Sequence, residues 1–160
     1  GDAMGTIETV SDPKITPNKS PRHRARELAM QGIYQWRVTG GDEAQIEKQI
    51  HAEKNIGRYD KELFSRLLRG ALDRHADIEA LISAHLDRPL IELSPVEFAV
   101  LLLGTFELSQ CPEVPYKVVI NEAVELAKTF GGTDGHKYVN GVLDKLAPQL
   151  RAPEFAGCTK

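Results

Sequence analysis

Ser20-Pro-Arg-His-Arg-Ala-Arg-Glu-Leu-Ala-Met-Gln-Gly-Ile-Tyr-Gln-Trp-Arg37 reads as one amphipathic helix with a basic edge, and its apolar stripe sets the class of fold. Ser20 is an N-cap residue, and Pro21 at the first helical position gives up an N–H that would lack a partner in any case. At about 100° per residue, Ala25, Leu28, Ala29, Gly32, Ile33 and Trp36 share one stripe that needs a core. Arg22, His23, Arg26, Met30, Tyr34 and Arg37 crowd the flank beside it. Three arginines in the first turns oppose the helix dipole by about a few tenths of a kcal/mol each, where Asp or Glu would be favoured. Two readings stay open on this helix alone: a solvated basic face, or an anion site for a nucleic-acid backbone with Tyr34 placed to stack on a base.

Downstream, apolar residues recur at helical spacing and no segment alternates with period two for long enough to be a strand. Thr39-Gly-Gly41 breaks the first helix after Val38, and Asp42 opens a thinner one to about Lys54 with Ile46 and Ile50 on its apolar edge. Tyr59 to Leu86 is long for one helix, so a bend is expected between Arg74 and Asp77. Arg88-Pro89 stops it, and Leu90 to Leu93 holds at most one turn. Ser94-Pro-Val-Glu97 repeats the Ser-Pro opening and adds the capping-box acid. The residues behind it, Val96 to Leu108, are apolar nearly all round, as in a buried central helix.

After the rigid connector Cys111-Pro-Glu-Val-Pro115, Tyr116 to Phe130 forms a helix with Glu122, Glu125 and Lys128 outward, stopped by Gly131. Thr133 or Asp134 caps a last helix striped by Tyr138, Val139, Val142, Leu143 and Leu146, which Pro148 ends. Asn140 and Gly141 interrupt it where Ala or Leu would be better by up to about 1 kcal/mol. That points to tight helix packing at Gly141 or to the approach of a ligand. The expected fold is all-α, two packed bundles of about three helices each, with halves at 20–87 and 88–151, a disordered leader over 1–19 and a frayed tail over 152–160.

The composition of the 160 residues, 41% hydrophobic and 27% charged with a net charge of −3, is that of a globular protein with room for a sizeable core. A basic helix on an acidic chain implies a confined anion site, not a polycation. Cys111 and Cys158 stand far apart outside any CxxC pattern, which gives no disulfide framework or zinc motif and fits a reducing, cytoplasmic setting. No apolar run approaches the eighteen or so residues of a membrane span. The five histidines lack metal-ligand spacing, and Gly131, Gly132, Gly135 and Lys137 do not complete a phosphate loop. No nucleophile motif or acid pair is recognisable, so the expectation is a non-enzymatic protein without metal or cofactor.

Three stretches together resemble the NusB family of bacterial transcription antitermination proteins. They are Arg22-His-Arg-Ala-Arg-Glu27 with Gln31 to Trp36, Val114-Pro-Tyr-Lys-Val-Val-Ile-Asn-Glu-Ala-Val-Glu-Leu-Ala-Lys128, and His136-Lys-Tyr-Val-Asn-Gly-Val-Leu-Asp-Lys145. The similarity spans roughly Ser20 to Arg151. It implies binding of a short single-stranded RNA element, boxA, together with NusE, the small-subunit ribosomal protein S-ten. The pair would join an elongating RNA polymerase complex, including on ribosomal RNA operons.

By matching positions, the resemblance gives Arg22, His23, Arg24 and Arg26 to phosphates or base edges, Tyr34 to stacking, and Asp134, Lys137 and Tyr138 to the same RNA surface. It gives Glu97 and Phe106 to NusE. His23 stands where the family's run often has Arg, which implies less charge at neutral pH, and the leader through Lys19 is long. A helical protein-interaction adaptor without RNA binding is the competing class. A related domain is attached to ribosomal RNA cytosine methyltransferases, and a chain ending at Lys160 is expected to carry no methyltransferase. Whether the free protein is a monomer or homodimer is left open.

Overall fold

Ser20 opens α1 (Pro21–Thr39) as its sequence predicts: its hydroxyl accepts the His23 N–H at 3.0 Å. In the computed structural model, which describes residues 20–132 and 134–158, α1 runs one residue past Val38 and ends at Gly40, whose φ of 69° lies in the left-handed region. Leader residues 1–19 and Thr133 lie outside the described residues. α2 (Glu43–His51) is capped by Asp42, as expected, but stops three residues short of Lys54, where the Glu53 N–H bonds back to the Ile50 carbonyl. The long apolar segment divides at Arg74 into α3 (Lys61–Asp73) and α4 (His75–Ser83), inside the predicted break. Leu90–Glu92 is a single 3-10 turn.

Ser94 and Glu97 exchange both bonds of a capping box, at 3.1 and 3.0 Å, and start α5 (Pro95–Gln110). Every residue from Phe98 to Leu108 on α5 is buried. The sequence suggests a centre for the second bundle, yet α5 serves both: α1, α3 and α4 pack on one side, and α6 (Tyr116–Phe130) and α7 (Gly135–Leu150) on the other. The two bundles therefore share one continuous apolar core. Burying each large aliphatic or aromatic side chain in it contributes about 1.5–3 kcal/mol.

Phe106 shows how closely α3 and α5 meet. Its ring is 4% exposed and fills the space above Gly70, where an added Cβ would lie 2.2 Å from Cζ. Phe106 is thus a core residue, which corrects its expected role at a partner surface; the helix that carries it has no solvent face at that point.

The C-terminal end departs from expectation twice. Pro148 lies inside α7 instead of ending it. It comes in the last turn, where a missing N–H removes one bond only, and the Arg151 N–H still reaches the Ala147 carbonyl at 2.8 Å. The tail expected to fray forms α8 (Ala152–Cys158). Arg151, 4% exposed, donates to the carbonyls of Leu108 (2.7 Å), Val114 (2.7 Å), Cys111 (2.8 Å) and Glu107 (3.1 Å), which closes the open end of α5. Arg151 also pairs with Glu154, which accepts the Tyr116 N–H at 3.1 Å, and the Tyr116 and Phe155 rings lie 4.6 Å apart. Among the described residues no helix is long and apolar enough to cross a membrane.

Candidate nucleic-acid interface

The basic run at the start of α1 is divided by the helical period. Arg22 projects outward, 51% exposed, with Asp60 at 3.8 Å. Arg24 is half-buried: its Nε donates to the Ile56 carbonyl and its Nη1 to Glu27, both at 3.0 Å. Arg26 points the other way. It is 3% exposed, and its Nε and Nη2 donate to the two carboxylate oxygens of Glu107, each at 2.9 Å. A fork of this geometry, out of water, fixes α1 to α5. Arg26 accordingly leaves the set of expected RNA contacts, because its donors are turned into the core.

His23 sits between two carboxylates. Its Nδ1 is 2.8 Å from Glu122 on α6, and its Nε2 is 3.5 Å from Glu27. Hydrogen bonds to Glu122 and then Glu27 raise its pKa to about 9. The same contact holds the Glu122 carboxyl below its usual range. His23 is therefore charged at neutral pH, against the expectation that a histidine here weakens the basic run. Glu122 faces α1 and not solvent as its helical position suggests.

Tyr34 stands 40% exposed on the same side of α1 as His23. From Arg22 to Tyr34 the helix rises about 18 Å. Met30, Gln31, Val96 and Phe130 join Tyr34 around a hollow of about 260 Å³, formed where α1 meets the start of α5 and the end of α6. Next to Val96, the Glu97 carboxylate faces Gly135, where an added Cβ would lie 3.2 Å from Oε2. The first turn of α5 thus brings the start of α7 to the edge that carries Tyr34.

At that start, Asp134 occupies the cap position without a side-chain cap bond, and it lies 3.7 Å from the Lys137 ammonium. Both are well exposed, at 84% and 74%. The Tyr138 hydroxyl donates to Asp87 at 3.0 Å, and the Arg88 guanidinium lies 4.3 Å from its ring centre. The sites anticipated on α7 therefore gather at one rim with Asp87 and Arg88, which sequence reasoning did not single out. It also missed Glu27, Glu107 and Glu122. Only Glu27 carried a readable signal, since it stands three and four residues beyond Arg24 and His23 on one helix. Among the described residues no group of three acidic, His or Cys side chains is placed to hold a metal ion.

Comparison with known proteins shows the family. The model of the NusB family matches residues 23–148. The transcription antitermination protein NusB of Nitrosomonas eutropha is 57% identical over 137 residues, covering 86% of this chain and 82% of the relative. That of Ralstonia nicotianae is 55% identical over 144 residues, covering 90% and 92%. Among solved structures, T. maritima NusB superposes with a TM-score of 0.73 at 33% identity, covering 86% of this chain and 99% of that one. A NusB from a complex of the antitermination factors NusB and NusE with dsRNA gives 0.73 at 29% identity, covering 79% and 96%. With the family model spanning most of the chain and relatives above half identity along nearly all of it, this all-α protein belongs to the NusB family.

Proposed function

We propose that this chain is a transcription antitermination factor that binds single-stranded boxA RNA through the outer edge of α1 and the start of α7. It does so together with NusE, and the pair joins the elongating RNA polymerase complex, including on ribosomal RNA operons. One observation carries the reading. Arg22, Arg24 and a charged His23 share the open end of α1, with an exposed Tyr34 about 18 Å further along. Cations that hold phosphates, followed by a ring that can stack on a base, suit single-stranded RNA. The NusB of a NusB–NusE–dsRNA complex, with the same fold, supports the pairing of RNA with NusE.

Lys137 and Tyr138, with Asp134 beside them, extend the RNA surface. Glu97 belongs to the NusE face, where it also holds the start of α5. The cations at the open end of α1 do not wait empty: Asp60, Glu27 and Glu122 neutralise them, so a phosphate must compete with carboxylates already in place. That same neutralisation is what favours the second reading, an interaction module that binds no RNA.

A titration with a boxA oligonucleotide, with and without NusE and over several salt concentrations, separates the two. If Arg22, His23, Arg24 and Lys137 each meet a phosphate, log K falls with log salt at about −0.7 per contact, or about −3 in all. Added NusE tightens the complex. Weak binding that ignores salt selects the interaction module, and equal binding of a duplex of the same sequence replaces single-strand recognition by recognition of A-form shape.

A further inference from the structure

Gly141 is a sequence signal that the fold leaves without an internal explanation. It stands in mid-helix, where glycine is unfavourable, and a Cβ added there would meet no heavy atom within 4 Å. Packing against a neighbouring helix is thereby removed as its reason. Lys137, Gly141 and Lys145 follow one another at four-residue intervals, which puts them in one row on the face of α7 over about 12 Å. The row lines a hollow of about 240 Å³, together with His85, Asp87, Tyr138 and Val142.

The charges of this hollow differ from those at the start of α1. Among the described residues Lys145 forms no ion pair. Lys137 has Asp134 at 3.7 Å, with both groups in water, where such a pair holds weakly. Asp87, the acid in the wall, is engaged by the Tyr138 hydroxyl at 3.0 Å and by the Arg88 Nε at 3.4 Å. His85 contacts the Gln149 side chain at 3.1 Å and no carboxylate. A polyanion laid along the row would meet Lys145 without displacing an acid and Lys137 against only a water-exposed partner, over a floor that lacks a side chain.

We propose that the face of α7 from Lys137 over Gly141 to Lys145 is a second track for the RNA backbone, carrying the strand beyond the boxA edge. The proposal rests on the RNA-binding reading above and deepens it. Tyr138 connects the two surfaces, since it belongs to the boxA edge and also lines the hollow. Continuity with the proposed boxA edge at Tyr138 and two lysines, one of them without an ion pair and one only weakly paired, favour a nucleic-acid strand over an acidic protein segment.

The test uses the full chain and three RNAs: the boxA core, the core extended by an unstructured pyrimidine tail on its 5′ side, and the same on its 3′ side. One of the tails raises affinity and steepens the salt dependence by about 0.7 for each added phosphate contact. Lys145→Ala abolishes that gain and leaves affinity for the core unchanged, whereas Gly141→Glu abolishes it and, through Lys137, also weakens the core. In the second variant the new carboxylate lies four residues from each lysine, a spacing that supports the helix while neutralising the track, and circular dichroism confirms the fold. The proposal is overturned if neither tail adds affinity, or if both variants bind the longer RNA as the parent does. Failure of the core itself to bind removes the RNA reading and the track with it, whereas core binding without a tail effect removes the track alone. Loss of NusE binding in Gly141→Glu with all RNA affinities intact assigns the row to a protein partner and overturns the proposal as well.

Discussion

Arg24 and Arg26 stand two residues apart in one helix and live in different physical worlds. Arg24 lies at the rim, its guanidinium shared between a carbonyl and Glu27, and water reaches it. Arg26 is locked in a two-pronged bond with Glu107 under the surface. Charge composition treats them alike, but desolvation does not: a buried cation is costly unless it is fully paired, and once paired it cannot serve a ligand. A run of arginines is therefore a mixture of contact and scaffold, and the helical period decides which residue is which.

Breaking the buried member should have the largest effect. Arg26→Ala leaves Glu107 buried and unpaired and should lower stability by about 3–5 kcal/mol, measured by denaturant unfolding. RNA affinity of the remaining folded fraction should change little. If the variant keeps its stability and instead loses RNA, Arg26 belongs with the rim after all.

Tyr34→Ala should do the reverse. The ring is exposed, so folding stability should hold to within about 0.5 kcal/mol. Affinity for boxA RNA should fall by about 1–3 kcal/mol where a base stacks on it. Unchanged binding would confine recognition to the cationic end of α1.

His23 sharpens the contrast most finely, because it belongs to the rim yet is tied to the scaffold through Glu122. Its pKa rises from 6.5 unfolded to about 9 folded. Its contribution to stability is thus complete below about pH 6.5 and disappears as pH rises through about 9. At a side chain 24% exposed, that contribution is of the order of 1 kcal/mol after screening by water. Melting temperature followed from pH 6 to 10 should fall for the parent protein and stay flatter for His23→Gln. Parallel curves would show that Glu122 and Glu27 do not hold the imidazolium.

Local chemistry was the legible part of the sequence. Ser20, Asp42 and Ser94 cap their helices as their positions suggest, and the break near Arg74 follows from a segment too long for one helix. Pairings across the fold were not legible. Glu107 and Glu122 are 81 and 99 residues away from Arg26 and His23, and nothing in their own surroundings marks them as partners. Arg151 has the same history. Its four carbonyl acceptors lie at the end of α5 and in the connector behind it, 37 to 44 residues away, and nothing near Arg151 in the sequence points to them. The candidate site divided along the same line: the exposed flank of Arg22 and Tyr34 was readable from helical geometry and Arg24 came only from the family resemblance, whereas the burial of Arg26 and Phe106 depended on a neighbour supplied by distant sequence.

Phe106 seated over Gly70 bears on how the molecule comes apart. The ring belongs to the helix that both bundles use as a wall, and the hole it fills belongs to the first bundle alone. Neither half can open without exposing a face of α5 that the other half also needs. Heat or denaturant should then unfold the protein in a single cooperative step, with no stage at which one bundle persists by itself.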